Sequence, residues 1–258
     1  MEKGLRAEEL RTGTVKNLRI ATWNLDRSGV RGKARWPRQH EVLAAFAADI
    51  VIVTEAHRGQ SLASAHQVFS RRGEGAYAAD ECAVAIWSRW PMHQLEVTDD
   101  RLSVCVELAV PGLHSPLAVY GTLITYGGDG VATGEATQWE RHRAAAADVA
   151  RDCTNLRALM PQHALVLAGD LNMNFDGTRG YGLRDVKESF QTALSNAGLN
   201  CLTADDLRQR GIPRANVDHI WATEVAVAGM PVLAWYDEAL SDHNGVAVDL
   251  CIASETSY

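Results

Sequence analysis

The chain has 258 residues, of which 47% are hydrophobic, and it carries a net charge of −7 with a pI near 5.7. This length allows one large domain with a sizeable core, and no linker-like stretch divides the chain. The negative charge argues against a protein that coats nucleic acid non-specifically, because such binding depends mainly on Lys and Arg replacing counterions. It does not exclude a nucleic-acid enzyme, because binding depends on local patches.

The sequence lacks the features of membrane and secreted proteins. Its first ten residues are charged, and no run approaches the roughly 18 apolar residues of a membrane span. The five cysteines are widely spaced and odd in number, which predicts reduced thiols, mostly buried. We expect a cytoplasmic protein with no membrane contact, a flexible tail at residues 1–16 and a single domain at residues 17–258.

The first half of the chain predicts a βαβ-like unit followed by antiparallel strands. Apolar runs predict strands at 18–24 and 49–54, and helical spacing of hydrophobic residues predicts a helix between them at 39–48. Further strands are predicted at 83–87, 102–110 and 117–125, the last two joined by a Pro/Gly/Ser connection typical of a hairpin. A glycine-rich loop follows at 126–133.

The second half alternates helices and strands. The longest helix is predicted at 136–159, a strand at 164–168, a helix at 188–197 ended by Gly198, and strands at 217–223 and 245–252. Strands outnumber helices, and both hairpin-like and crossover-like connections occur. The pattern therefore predicts a mixed α/β architecture.

The apolar strand at 164–168 stops at Gly169 and is followed by two polar residues, Asp170 and Asn172. Residues two apart on a strand point to the same side, so the carboxylate and the amide can face one point. Such a pair suits hydrolysis of a phosphate ester, in which one group takes a proton from water and the other donates a hydrogen bond to phosphate oxygen. Gly-Asp is also common in ordinary turns, so this pair alone decides nothing.

Other polar residues lie at or beside the ends of predicted strands. The full set is Asn24, Glu55, Asp170, Asn172, Asp218, Asp242 and His243. Oxygen ligands of this kind suit Mg²⁺, which keeps several waters and commonly takes one or two carboxylates plus substrate oxygen. Zinc is disfavoured because no Cys or His cluster has zinc spacing.

A basic segment follows the first strand. It places five cations in twelve residues with no acid among them: Arg27, Arg31, Lys33, Arg35 and Arg38. Such a run is most often a solvated loop, but beside a polar strand end it is the leading candidate for binding substrate phosphate. Arg179, in the polar loop at 172–187, is a further candidate.

In their order, the motifs resemble the endonuclease/exonuclease/phosphatase superfamily of metal-dependent phosphoesterases, which includes deoxyribonuclease I. The matching stretches are Thr22-Trp23-Asn24, Glu55, Ser88-Arg89-Trp90-Pro91, Gly169-Asp170-Leu171-Asn172, Val217-Asp218-His219-Ile220 and Ser241-Asp242-His243. Each is weak alone, but their order across residues 18–252 argues against chance. The resemblance implies a four-layer α/β sandwich, with two mixed β-sheets packed face to face, helices outside and an active site at one sheet edge.

The resemblance also implies a Mg²⁺ or Mn²⁺ site. Carried over position by position, it makes Glu55 the principal metal ligand and places Asn24 and Asp242 near the metal or its waters. Asp26 matches the Trp-Asn-x-Asp run of abasic-site endonucleases and is a weaker candidate.

The same comparison implies catalytic roles for four residues. Asp170 resembles the residue that orients or deprotonates the attacking water, and Asn172 resembles the residue that hydrogen-bonds substrate phosphate. His243, oriented by Asp218, resembles the residue that stabilises the pentacovalent transition state. An aspartate in this position holds the useful tautomer and favours the charged imidazolium.

One position departs from the family pattern. Many members carry a catalytic His after Gly-Thr at the end of the middle strand, whereas Leu123 stands here after Gly121 and Thr122. Tyr126 is the candidate to replace that His. Without a replacement, leaving-group protonation falls to a metal-bound water, and a weakened or inactive member remains an alternative.

Three functions are weighed. A nuclease is the first choice, favoured by the basic segment and by Asp26. A small-molecule or lipid-headgroup phosphoesterase is the runner-up, favoured by the acidic net charge and by the motif at 88–91. The rival from another class is a non-catalytic module that uses the cleft to bind nucleic acid or a protein. The shared fold cannot choose between these substrates.

Overall fold

The structure is a computed structural model, and it describes residues 16–27, 35–63, 65–71, 80–113, 115–223 and 232–252. The expected tail lies outside the described residues except for Lys16, with which the first strand begins. None of the helices in the described ranges is long and apolar enough to cross a bilayer.

Twelve strands and three α-helices are described. In chain order they are β1 (Lys16–Asn24), α1 (Trp36–Ala45), β2 (Ile50–His57), β3 (His66–Phe69), β4 (Glu81–Ser88), β5 (His93–Leu95), β6 (Ser103–Leu108), β7 (Leu117–Leu123), α2 (Glu140–Leu159), β8 (Ala164–Asp170), α3 (Arg184–Asn196), β9 (Leu199–Cys201), β10 (Asp218–Thr223), β11 (Leu233–Trp235) and β12 (Gly245–Ile252). A short 3₁₀ helix, Leu207–Arg210, precedes β10.

The strands form two mixed sheets of six strands each. The first sheet has the order β11-β12-β1-β2-β4-β3 and the second the order β5-β6-β7-β8-β10-β9. Each sheet contains one parallel pair, β1 with β2 and β7 with β8, while its other neighbours are antiparallel. The predicted βαβ unit and the predicted hairpin are both present.

The core consists of three layers of packed side chains. The inner layer lies between the sheets and includes Ile20, Ile52 and Val166. The outer face of the first sheet packs on α1 around Leu43, and that of the second packs on α2 and α3 around Phe190. Central strands are therefore buried on both faces, which explains their nearly continuous apolar sequences. The predicted four-layer α/β sandwich is confirmed.

The predicted elements differ from the observed ones mainly at their ends. The helix predicted at 188–197 begins earlier, at Arg184, and the one predicted at 136–159 begins later, at Glu140. Four strands of three or four residues were not predicted, namely β3, β5, β9 and β11. Their residues are mostly half-buried or exposed, so they lack the apolar run that marks the central strands.

Four cysteines are free, as expected: Cys82, Cys105 and Cys153 are buried, and Cys201 is half-buried. Burial raises the pKa of the Cys82 and Cys105 thiols to about 12. These thiols therefore stay protonated and unreactive at neutral pH.

Candidate active site where the two sheets meet

The candidate site lies where the ends of strands from both sheets come together. Asn24 is the last residue of β1 in the first sheet, and Asp170 is the last residue of β8 in the second. The Asn24 Nδ2 donates a hydrogen bond to Asp170 Oδ2 at 3.0 Å. Asp218, the first residue of β10, pairs with Asp170 in the antiparallel register. Strand ends that are far apart in sequence thus meet at one edge of the sandwich.

Asp170 and Asn172 form the turn that the sequence predicted to carry the chemistry. The backbone N–H of Asn172 donates to Asp170 Oδ1 at 2.9 Å, and its Nδ2 donates to Asp170 Oδ2 at 3.2 Å and to the carbonyl of Ile124 at 2.9 Å. The two side chains contact each other as expected, but strand alternation is not the reason, because Asn172 lies beyond the end of β8 with left-handed backbone. The bond to Ile124 also fixes this turn to the segment that follows β7.

His243 completes the cluster from the segment before β12. Its Nδ1 donates to Asp218 Oδ2 at 2.7 Å, and its Nε2 lies 3.9 Å from Asp170 Oδ2. Its backbone N–H donates to Ser241 Oγ, whose hydroxyl donates in turn to the carbonyl of Asn24. The imidazole is therefore held by the second sheet and its backbone by the first.

The charges in this cluster depend on one another. Burial raises the pKa of Asp170, since the carboxylate loses solvation and lies near Asp218, while the nearby His243 opposes this rise. Burial alone would lower the pKa of His243, but the carboxylates of Asp218 and Asp170 outweigh it and raise that pKa above its usual value. The imidazole is thus held in its charged form between two carboxylates.

Carboxylate and amide oxygens at this edge suit a divalent cation. Polar atoms of Asp170, Asp218 and His243 lie within 4.8 Å of one another, but the charged imidazole has both nitrogens protonated and acts as a counter-charge rather than as a ligand. Among the described side chains, Asp218 Oδ1 is buried without a hydrogen-bond partner, which is costly for a carboxylate unless a cation or water satisfies it. Glu55 and the Asn24 amide oxygen add hard oxygen donors at the carboxyl ends of the parallel strands β1 and β2.

Backbone strain also concentrates at this edge. Four non-glycine residues there adopt left-handed backbone, with φ between 46° and 50°: Asp26, Arg27, Glu55 and Asn172. Such conformations cost of order 1 kcal/mol or more each and persist where the surroundings impose them, as in active sites. The strain is independent support for a functional role of the edge. The predicted strand at 49–54 was too short, because β2 continues to His57 and Glu55 lies within it rather than after it.

Gly169 explains how β8 delivers Asp170. Its φ is +141°, and a Cβ at this position would lie 1.9 Å from the carbonyl oxygen of Thr122 on the neighbouring strand. Only glycine fits this close approach. The Gly-Asp pair is therefore part of a central strand, where glycine is required by the close approach, rather than an ordinary turn.

The predicted basic residues are only partly where they were expected. Arg27 lies at the edge but pairs with Glu55, Nε to Oε2 at 3.1 Å, and Arg35 pairs with Asp26 at 2.6 Å. Their charges are therefore already engaged with carboxylates. Arg31 lies outside the described residues, and Arg179 is exposed without a described contact to the cluster.

Three further residues from the sequence analysis contribute less to the cluster or lie outside it: Asp242, Tyr126 and Leu123. The Asp242 side chain is 58% exposed, with Oδ1 4.0 Å from His243 Nε2. Tyr126 is 54% exposed, and no described hydrogen bond joins its hydroxyl to Asp170 or His243, so the structure does not bring it into the cluster. Leu123 pairs with Asp170 in the sheet and is buried in the inner core.

Gln39 is a structural support of the site that sequence reasoning missed. This buried residue of α1 donates from Nε2 to the carbonyls of Leu25 and Leu240, at 3.0 and 2.8 Å. It thereby ties the segment after β1 to the segment that carries His243. The available signal was a polar residue at helical spacing with the apolar Leu43 and Phe46.

Comparison with known proteins gives a family and a fold. The model of the Endonuclease/Exonuclease/phosphatase family matches residues 21–243. No curated protein matches the chain significantly by sequence. Among solved structures, the endonuclease domain of a telomere-specific non-LTR retrotransposon aligns with a TM-score of 0.64 and 15% identity, covering 93% of this chain and 100% of that one.

Two further solved structures are similar. A 3′ phosphatase from Neisseria bound to product DNA hairpin aligns with a TM-score of 0.63 and 18% identity, over 90% of this chain and 99% of that one. An AP endonuclease from Leishmania major aligns with a TM-score of 0.66 and 12% identity, over 91% and 88%. At these identities the likeness establishes the fold, and the family model, which spans most of the chain, establishes the family. The chain belongs to the endonuclease/exonuclease/phosphatase family.

Proposed function

We propose that this protein is a divalent-metal-dependent phosphoesterase that hydrolyses a phosphodiester by in-line attack of activated water, with nucleic acid as its substrate. The observation that carries the proposal is the 3.0 Å hydrogen bond between Asn24 and Asp170, which joins the two sheets at a point that Asn172 and His243 also face. This arrangement offers a base, a neutral donor and a cation around one position.

Each residue of the cluster has a role that its contacts support. Asp170 accepts the proton of the attacking water, and burial, which raises its pKa, makes it a stronger base. Asn172 presents an amide donor to a phosphate oxygen, in place of its contact to Ile124. His243 in its charged form faces the negative charge that develops on phosphate oxygen, and Asp218 fixes its tautomer through Nδ1.

Mg²⁺ or Mn²⁺ would be held by Glu55, with Asn24 and Asp242 near the ion or its waters and Asp26 at the same edge. When bound, the ion supplies Lewis acidity that offsets charge on the phosphate oxygens. Arg27 forms an ion pair with Glu55 and so neutralises part of the charge of that carboxylate. The carboxylate-rich edge would otherwise repel the anionic substrate.

Nucleic acid is favoured as substrate by the similar structures. They are a retrotransposon endonuclease domain, a phosphatase bound to product DNA hairpin and an AP endonuclease. One observation favours the smaller phosphate esters instead, namely that Arg27 and Arg35 are engaged in ion pairs. Burial of Leu123 at the apparent His position keeps the non-catalytic binding module as the alternative of another class.

The test uses purified protein with supercoiled plasmid, a single-stranded oligonucleotide, an abasic duplex and bis(p-nitrophenyl) phosphate, each with Mg²⁺, Mn²⁺ or chelator. We expect metal-dependent cleavage that Glu55→Gln reduces by about 10²-fold or more. The matched control is Glu107→Gln, because Glu107 pairs with His163 near the start of β7, away from the site. Nucleic acid binding without turnover in any metal would favour the binding module.

A further inference from the structure

The connection between the 3₁₀ helix and β10 lies against both turns that carry the site. The backbone N–H of Leu171 donates to the carbonyl of Val217 at 2.9 Å. On the other side, the Asn244 Nδ2 donates to the carbonyl of Arg214 at 3.0 Å. The segment that begins with Arg214 is therefore held between the turn of Asp170 and the turn of His243.

The Arg214 side chain is positioned by two contacts. Its Nη1 donates to the carbonyl oxygen of Asp242 at 2.9 Å, and that carbonyl belongs to the peptide bond that leads into His243. The guanidinium also lies over the ring of Tyr236, 5.8 Å from its centroid. The cation is thus held one residue before the imidazole rather than against the imidazole itself.

The charge of Arg214 is not neutralised as those of Arg27 and Arg35 are. Within the part of the chain that the structure describes, no carboxylate lies within 4.0 Å of its guanidinium. The residue is exposed, and a guanidinium has five N–H donors, of which the contact to Asp242 uses one. An arginine with spare donors beside a phosphate-hydrolysing site is suited to bind an anion with planar, bidentate geometry.

We propose that Arg214 is a specificity-determining residue that binds an anionic group next to the scissile phosphate. This inference rests on the proposed function and adds a preference to it: substrates with a second phosphate adjacent to the cleaved one are bound more tightly than substrates with one phosphate. The second phosphate has two sources, a neighbouring diester in a nucleic acid strand or a terminal monoester on a small molecule.

The test compares three substrates, of which one has a single phosphate and two have a second phosphate. A thymidine dinucleotide has one phosphodiester, its 5′-phosphorylated form adds a terminal monoester, and the trinucleotide adds a second diester. Arg214→Met keeps the aliphatic stem and removes the charge. The control is Arg210→Met, since Arg210 is exposed at the end of the 3₁₀ helix that precedes this connection and makes no side-chain hydrogen bond or ion pair with any residue in the described ranges.

We expect Arg214→Met to raise KM about 10-fold for substrates with a second phosphate and to leave KM for the dinucleotide and kcat for all three unchanged. A raised KM for the trinucleotide alone shows that Arg214 binds a neighbouring diester of a nucleic acid strand. A raised KM for the phosphorylated dinucleotide alone shows that it binds a terminal monoester, and a raised KM for both shows that it binds either group. Equal losses on all three substrates, no loss, or the same loss in Arg210→Met would overturn the inference.

The inference remains testable if the proposed function fails. If the wild-type protein cleaves none of the substrates, the same comparison is made by fluorescence anisotropy with labelled oligonucleotides in chelator. About 10-fold weaker binding of the doubly phosphorylated ligands by Arg214→Met, with the dinucleotide unaffected, supports the site. Unchanged binding overturns it. Thermal melting of each variant verifies that the fold is intact.

Discussion

Two histidines near the same end of β10 have opposite charge states because their surroundings differ. His243 lies between the carboxylates of Asp218 and Asp170, which raise its pKa despite burial. His219, the residue after Asp218, is fully buried, and burial lowers its pKa to about 4. Its Nε2 donates to the carbonyls of Met173 and Asn216, and its Nδ1 accepts from the hydroxyl of Thr203 at 3.0 Å. One imidazole is therefore cationic and the other neutral.

The alternation of β10 produces this difference. Asp218 faces the edge where the two sheets meet, whereas the next side chain along the strand, His219, turns to the helix-covered face and packs 4.9 Å from the ring of Phe175. These contacts hold His219 in the core, away from the site edge. Environment rather than residue type decides which histidine can stabilise an anion.

Among the variants that probe the difference between the two histidines, the largest expected effect comes from the charged one. His243→Gln removes the cation that faces the developing negative charge, so we expect kcat for phosphodiester hydrolysis to fall about 10²- to 10³-fold. Steady-state kinetics at saturating metal measure this change. The account is contradicted if the variant keeps the wild-type kcat, or if conditions that stabilise the fold restore the kcat of the variant.

The neutral histidine is expected to control acid stability. An unfolded histidine binds a proton below pH about 6.5, whereas native His219 does so only near pH 4. The contribution of His219 to the free energy of unfolding is therefore complete above pH about 6.5 and is lost as the pH falls towards 4. The wild-type advantage over His219→Gln in free energy of unfolding should shrink by about 3 kcal/mol across this interval. Urea unfolding at several pH values measures it. A pH-independent difference would refute the assignment.

The strand between the two environments is expected to depend on Gly169, which pairs with His219 of the neighbouring strand. Gly169→Ala should lower the free energy of unfolding by at least about 2 kcal/mol, because the added Cβ meets the Thr122 carbonyl as well as a strained φ. The control is Gly177→Ala, where φ is also positive but nothing lies within 4 Å. Equal losses in the two variants would show that the close approach is unimportant.

The smallest expected effect comes from the orienting carboxylate. Asp218→Asn keeps a hydrogen-bond acceptor for His243 Nδ1 but removes the charge, so kcat should fall about 10-fold and the His243 pKa should move down. NMR titration of the imidazole separates this role from a purely structural one. An unchanged His243 pKa would contradict it.

The central architecture was predictable because its strands are buried on both faces. β2 and β8 begin as nearly unbroken apolar runs, and the polar residues that end these runs, Glu55 and Asp170, lie at the site edge. The short edge strands such as β3 and β11 were not predictable, because half-exposed strands of three or four residues carry no comparable pattern. The roles suggested for Asp170 and His243 remain predictions, but their meeting at one edge is observed.

The ion pairs of the basic segment could not be predicted from the sequence. Five cations in twelve residues indicated a phosphate-binding segment, yet Arg27 and Arg35 pair with Glu55 and Asp26. Glu55 is near Arg27 because β1 and β2 run parallel, and Arg35 returns to Asp26 within the connection between β1 and α1; the local charge pattern encodes neither contact. Arg214 was not predicted as a site residue, because it comes near His243 only through a hydrogen bond to the Asp242 carbonyl, which joins two loops that are distant in sequence.

The most direct test of the account compares two aspartates of one segment in a metal-dependent assay. Asp170 belongs to the site, whereas the Asp176 carboxylate accepts hydrogen bonds from Asn174 and Thr178 and pairs with Arg208 of the 3₁₀ helix. We predict that Asp170→Asn abolishes Mg²⁺- or Mn²⁺-dependent hydrolysis of bis(p-nitrophenyl) phosphate, while Asp176→Asn retains kcat within a few fold. Wild-type turnover by Asp170→Asn would contradict the placement of the active site where the two sheets meet.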